Sequence, residues 1–273
     1  MAVIAISREL AALGDETARE LAIKMGYRFV DKETLEQRIA SYGFSIKKIE
    51  KFDEKKPGFW ASISRDKDDY LHYLKMALYE EAEMGNCIFV GRGAFALLKG
   101  LPAVISIRLV SPLSIRLERV KSYFHCDEKR ARMIIEQSDR DRSAFHRYFF
   151  DIDWDDATNY HITFNTGIIH PTMAAELVVH FVQHLVQPGE ENLLLNKLAN
   201  LSLGERIVHQ VLYSLGIPIH FMEAQVEEGR VILRGVASSP SAAEAAVAGA
   251  QQVAGGRQVS SEIQVVQEYS VMP

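Results

Sequence analysis

Residues 2–22 read AVIAISRELAALGDETARELA. The reading of this stretch decides the fold. Ala2–Ile6 is an unbroken apolar run, the pattern of a short strand buried on both faces of a parallel sheet. A small-residue loop follows, Ser7 to Thr17, and helical sequence runs from about Asp15 to Met25. Strand, loop and helix in that order is the layout of a phosphate-binding loop. The standard form, GxxxxGK(S/T), uses glycines so that backbone N–H groups converge on phosphate, a lysine for the outer phosphates and a hydroxyl for magnesium. Only Gly14 and Thr17 are of those kinds here, and the loop has no lysine. Taken alone, a plain strand-to-helix turn accounts for these residues at least as well.

The same alternation continues outward. Tyr27–Val30 reads as a second strand ending at Asp31, and residues 32–50 as helical in part. Residues 51–64, KFDEKKPGFWASIS, are polar around Pro57 and Gly58 and read as an exposed loop, with Phe59 and Trp60 as anchors. Arg65–Met84 has helical apolar spacing. Cys87–Val90 is a third strand, cut off by Gly91-Arg92-Gly93, and Val104–Val110 a fourth. Ser111 is the predicted N-cap of a helix with Pro112 at its first position, and charged helical sequence continues to about Ser143. Tyr160–Phe164 is a fifth strand, followed by Asn165-Thr166-Gly167 and a helix over 171–186. Alternating strands and helices predict an α/β fold, a parallel five-stranded sheet with flanking helices. Ligands bind such sheets at the carboxyl ends of the strands. The polar residues there are Ser7, Arg8, Asp31, Gly91, Arg92, Gly93, Ser111, Asn165 and Thr166.

After residue 186 the texture changes. QPGEEN, 187–192, reads as a linker. Leu203–Leu215 is an amphipathic helix. Ile219–Val226 and Val231–Val236 are strands joined by a hairpin turn at EEGR. Ser241–Val253 is an alanine-rich helix and Val259–Val266 a final alternating strand. This predicts a small α+β domain of order α-β-β-α-β over 197–273, separate from the one over 1–190.

Composition narrows the function. The chain has 273 residues, 48% apolar and 25% charged, with net charge −5. Residues 1–190 carry 26 basic and 28 acidic side chains, and residues 191–273 carry 5 and 8, so neither part is basic and nucleic acid is not an expected partner. Cys87 lies in an apolar strand, and Cys126 follows His125 too closely to build a metal site with it. Two free thiols suit a reducing cytosol. No long apolar segment follows a charged start, so a cytoplasmic protein is expected.

Two further clusters carry chemistry. Arg92 between two glycines at a strand end could grip a phosphate with its planar fork, or simply occupy a tight turn. Residues 138–149, SDRDRSAFHRYF, place Arg140, Arg142 and Arg147 with Asp139 and Asp141 in one mobile-looking stretch. Arginines of this kind stabilise a transferring phosphoryl group; a solvated, self-paired charged helix is the alternative. His180 and His184 are four apart on a helix but lack further ligands, so no metal site is expected there.

Together IAISRE, GDETARELA, FVDKE (29–33), IFVGRG (88–93), SPLSIRLERV (111–120), DRDR (139–142) and WDDATNYHITFNT (154–166) resemble the cytidylate kinase-like family, a branch of the P-loop nucleoside monophosphate kinases. The resemblance covers about residues 1–186. It implies a P-loop kinase-type sheet and a phosphotransferase that passes a phosphoryl group from ATP, with Mg2+, to CMP or a related nucleotide. By resemblance, Ser7, Arg8, Gly14, Glu16 and Thr17 fall on the phosphate loop. Asp31 faces the acceptor nucleotide, and Arg92 contacts its phosphate. Arg142 and Arg147 fall in the catalytic lid, with Asp139 as a group that orients magnesium-bound water or an arginine. Asp15 and Thr17 are the pair that would hold the metal or its waters. Relatives usually have a glycine-rich run where this chain has Ala11, Ala12 and Leu13. These residues disfavour left-handed angles, so the expectation is phosphate held weakly, through the helix start more than through a wrapped loop. That erosion opens a second reading, a non-catalytic nucleotide sensor acting through its C-terminal part. The tail resembles a BON domain through GERIVHQVLYSLGI, VEEGRVILRGVASS, AAEAAVAGAQQVAG and VSSEIQVV, which implies a phospholipid or protein ligand. Nucleotides are the partners of the first domain, and a homo-oligomer stands as a further partner.

Overall fold

The computed structural model describes residues 2–45, 47, 49 and 64–266. The anchors expected at Phe59 and Trp60, and the rest of 51–63, lie outside the described residues. The chain divides into two compact units, Met1–Leu195 and Asn196–Pro273.

Among the described residues the first unit holds five strands: β1 (Val3–Arg8), β2 (Arg28–Val30), β3 (Cys87–Val90), β4 (Val104–Val110) and β5 (Ile162–Asn165). They lie in the order β2-β3-β1-β4-β5, every neighbouring pair parallel. Parallel pairs need long crossovers. These are built from α1 (Gly14–Met25), α2 (Lys32–Ser41), α3 (Ser64–Glu83), the short α4 (Ala94–Leu97), α5 (Leu113–Phe124) and α6 (Glu128–Phe150), with α7 (Pro171–Leu185) closing the unit. The apolar opening run is central because it is buried on both faces: Ala2, Val3, Ile4 and Ala5 are fully enclosed. Ile4 and Ile6 share one core with Ala18 and Leu21 of α1 and Ala174, Ala175, Val178 and Val182 of α7. Each enclosed Ile or Val contributes about 1.5–3 kcal/mol. The three alanines let both helices lie close to the sheet.

Helix starts mostly follow the capping signals. Asp31, Asp127 and Ser239 each accept an N–H from the first turn of their helices. Ser111 does not. Helix α5 starts at Leu113, and the Ser111 N–H donates to the Glu9 carboxylate at 3.0 Å instead. The stretch SDRDRSAFHRYF also differs from its mobile-looking reading. It is the C-terminal half of the single 23-residue helix α6, pinned by buried Phe145, His146 and Phe149.

The linker is shorter than expected. Helix α8 (Glu190–His209) takes in the last residues of QPGEEN, leaving exposed Gln187, Pro188 and Gly189 between helices. A π-helical turn over Gln210–Ser214 follows. The second unit has β6 (Ile219–Glu227), β7 (Arg230–Ala237), α9 (Pro240–Val253), β8 (Gln258–Ser261) and β9 (Gln264–Val265). The EEGR hairpin turns at Glu228 and Gly229, both at positive φ (48° and 76°), the signature of a type I′ turn. The last strand is two short pieces, both parallel to β7. Gly235 is required by geometry: its φ is +149°, and a Cβ there would lie 2.6 Å from Ile219 and 2.9 Å from the His220 carbonyl. No helix among the described residues is long and apolar enough to cross a membrane.

Two outcomes follow from this architecture. Gly235→Ala should destabilise the second unit by about 1–3 kcal/mol, read as a lower denaturant midpoint for its transition. Limited proteolysis should cut first at 186–189 and leave two protected fragments; loss of both parts together would mean one fused cooperative unit.

Candidate functional site

The loop between β1 and α1 is built with its carbonyls turned inward. Leu10 carbonyl accepts from Arg116 Nε at 2.8 Å. Ala11 carbonyl accepts from Arg119 Nη1 at 2.8 Å. Ala12 carbonyl accepts from Thr166 Oγ1 at 3.0 Å, and Leu13 carbonyl from Thr17 Oγ1 at 2.7 Å. The N–H groups of Leu13, Gly14, Asp15 and Glu16 have no acceptor among the described residues. Open amides at a helix start, backed by the helix dipole, are donors that an anion could take.

The backbone corrects one expectation. Ala11 and Leu13 do adopt left-handed angles, φ 61° and 56°. Each costs roughly 1–2 kcal/mol without glycine. The wrapped shape is therefore present, held by the contacts to its carbonyls.

The sequence-predicted residues divide into three groups. The first gathers at the loop. Arg8 lays its stem over Gly14, where a Cβ would lie 2.5 Å from Arg8 Cγ. Thr17 is buried with its hydroxyl on Leu13 carbonyl. Asp15 is exposed, and Glu16 accepts from Tyr123 hydroxyl at 2.8 Å. Asp139 reaches this loop from α6, accepting from Leu10 N–H at 3.4 Å and pairing with Arg116.

A second group surrounds Arg92. Gly91, Arg92 and Gly93 all have positive φ. Gly93 leaves room for Phe150, whose ring would overlap a Cβ there. Arg92 is buried, its guanidinium paired with Glu36 and donating to Tyr70 hydroxyl at 3.3 Å. Asp31 caps α2 through Thr34.

A third group is spread out. Ser7 is buried; its hydroxyl accepts from Trp154 Nε1 at 2.8 Å and lies 3.3 Å from the Tyr160 hydroxyl. That places Ser7 in the packing beneath the loop, where Arg108 donates to Trp154 carbonyl and Asp155 and stacks 4.0 Å from the Trp154 ring. Arg142 is buried and donates to Ser138 within α6, whereas Arg147, five residues on, is exposed. Five residues turn a helix by about 140°, so the two arginines leave on different faces.

Arg116 and Arg119 were not singled out in the sequence. They lie three apart on α5, on one face, and both reach the loop. Glu9 was also passed over. It accepts from Ser111 N–H and pairs with Arg116 at 3.3 Å. Burial pushes its carboxyl above the ordinary value, against the lowering pull of that N–H and of Arg116. Desolvation likewise lowers Arg119. Cys87 behaves as a plain core residue, its thiol pushed up to about 12 by burial.

The donor set fits a nucleotide phosphate at the free amides. For magnesium, the residues present are Thr17 and Asp15, and no cluster of three metal-ligating side chains occurs among the described residues. An ion that takes most of its oxygens from phosphate and water suits so sparse a protein set.

Comparison with known proteins bears on the fold and the family. No curated protein matches the chain. Among solved structures, an uncharacterized protein from Eubacterium ventriosum is similar at 21% identity and TM-score 0.54, covering 67% of this chain and 99% of that one. Shikimate kinase from Bacteroides thetaiotaomicron aligns at 13% identity and TM-score 0.42, over 67% and 98%. The first of these likenesses supports the fold and nothing finer. A BON domain model matches residues 202–267. The model of the cytidylate kinase-like family matches residues 3–168, more than half of the sequence, and the chain belongs to that family.

Proposed function

We propose that this chain is a phosphotransferase that moves the terminal phosphoryl group of ATP to a nucleoside monophosphate, CMP or a close relative. An oxygen of the acceptor phosphate forms the new P–O bond as the bond to the ADP leaving group breaks, so two diphosphates result. The observation that carries this reading is the loop over 9–17, with four carbonyls held inward and four amides open. Those amides would hold the donor phosphates. Magnesium, near Thr17 and Asp15, would neutralise charge between donor phosphates. Arg92 would bind the acceptor phosphate, with Asp31 toward the acceptor nucleotide. Arg142 and Arg147 would act from α6 on the transferring group. An ATP donor places the reaction in the cytoplasm. The BON domain would serve as an accessory module for a phospholipid or protein ligand.

One observation favours the second reading, a nucleotide sensor without turnover. The Arg92 guanidinium is buried against Glu36, a carboxylate standing where an acceptor phosphate would need to bind. One measurement separates the readings. Binding to the native state must raise stability, so a melting shift with ATP and magnesium is expected under both. ADP formation from ATP and CMP is expected only for the enzyme.

Arg92→Lys keeps the charge and loses the fork. It should raise the acceptor KM roughly tenfold, a change of about 1.4 kcal/mol, with the ATP KM unaltered. An unchanged acceptor KM would remove Arg92 from the site. Asp15→Asn should weaken ATP binding in magnesium roughly five- to tenfold, as one metal-directed oxygen becomes neutral. Tighter ATP binding by the same variant without magnesium, and no change with it, would make Asp15 only a repulsive neighbour.

A further inference from the structure

We infer that Arg116 is a positioning residue for the phosphate-binding loop, locking it in a left-handed shape that its own residues disfavour and tying that shape to helix α6. This rests on the phosphate-binding reading of residues 9–17.

Arg116 is buried, and its three guanidinium nitrogens reach three residues on two pieces of chain, the loop at 9–10 and helix α6. Nε donates to the Leu10 carbonyl at 2.8 Å. Nη1 lies 3.3 Å from the Glu9 carboxylate. Nη2 pairs with the Asp139 carboxylate of α6. Asp139 in turn accepts the Leu10 N–H at 3.4 Å. Leu10 is thus held by both backbone groups, one on each member of an ion pair. The peptide planes on either side cannot turn without breaking one of those hydrogen bonds. The next residue, Ala11, is left-handed, and its carbonyl is held by Arg119, which also donates to the Thr166 carbonyl at 2.7 Å. Glycine at 11 and 13 would adopt these angles freely; alanine and leucine need the clamp.

The fork explains why this must be arginine. A lysine ammonium is a point charge on a flexible stem and cannot present fixed donors to three partners in one plane. Asp139 lies three residues before Arg142 and eight before Arg147 on the same helix. A displacement of α6 that separates Asp139 from Arg116 would release Leu10, and with it the open amides. Anion affinity and the seating of α6 are therefore coupled through one guanidinium.

The test uses the full chain with Arg116→Lys, alone and combined with Ala11→Gly and Leu13→Gly. Inorganic tripolyphosphate and magnesium-ATP affinities are measured by calorimetry, and amide exchange is followed over residues 9–17. Arg116→Lys should weaken both ligands roughly tenfold, as expected for loss of a charge-assisted hydrogen bond, and should speed exchange in the loop. The two glycines should recover most of the lost affinity. A purely structural arginine would not be rescued by glycine at those positions. Affinity within about twofold of wild type, or a loss that the glycines leave untouched, overturns the proposal. If wild type binds neither ligand, the phosphate-binding reading fails; unchanged exchange in Arg116→Lys then overturns the clamp, and faster exchange upholds it. Should Arg116→Lys fail to fold, Asp139→Asn, which leaves the arginine in place, is judged by the same two readouts.

Discussion

Hydrogen bonds that draw the carbonyls of Leu10, Ala11, Ala12 and Leu13 into the protein set the shape of the loop between β1 and α1. A peptide group has two polar ends. When four successive acceptors are held inward, the following donors are left open. In a glycine-built loop that orientation comes from conformational freedom. Here it comes from outside the loop: two arginines of α5, a threonine after β5 and the Thr17 hydroxyl. The left-handed angles at Ala11 and Leu13 persist because the surroundings over-determine them.

Those surroundings depend in turn on the sheet. Placing β1 between β3 and β4 brings the ends of three strands beside the loop. The Val110 end of β4 leads directly into Ser111 and the α5 arginines, and β5 leads into Thr166. Beneath them Ser7, Arg108, Trp154 and Tyr160 form a buried polar and aromatic layer in which the arginine is satisfied by Trp154 carbonyl and Asp155. Buried charge is tolerated only when paired in this way. The Arg92 cluster is organised on the same principle, with Glu36 and Tyr70 as the partners.

Much of this was legible in order along the chain. The apolar runs, the strand-ending Asp31 and Gly91-Arg92-Gly93, and the hairpin at Glu228-Gly229 are local signals, and local physics produces them. Three readings differ from the structure. Ser111 has the sequence of a helix cap, but the helix starts one residue later, with Pro112 at the cap position, and the Ser111 N–H donates to Glu9, about a hundred residues away. Residues 138–149 look like a charged mobile segment, yet Phe145, His146 and Phe149 bury one face and continue the helix. QPGEEN reads as a linker, yet its last residues begin α8.

By itself the sequence determined which segments are strands, which are helices and where their polar ends lie, because burial pattern and capping act over a few residues. It also placed the hairpin and the change of texture that separates the BON domain. Only the tertiary structure decided the shape of the loop over 9–17. Propensity at Ala11 and Leu13 disfavours the left-handed region by roughly 1–2 kcal/mol each, and that term is local. The opposing term comes from Arg116, Arg119 and Thr166, which are more than a hundred residues away in sequence and adjacent only once β4 has paired with β1 and β5 with β4.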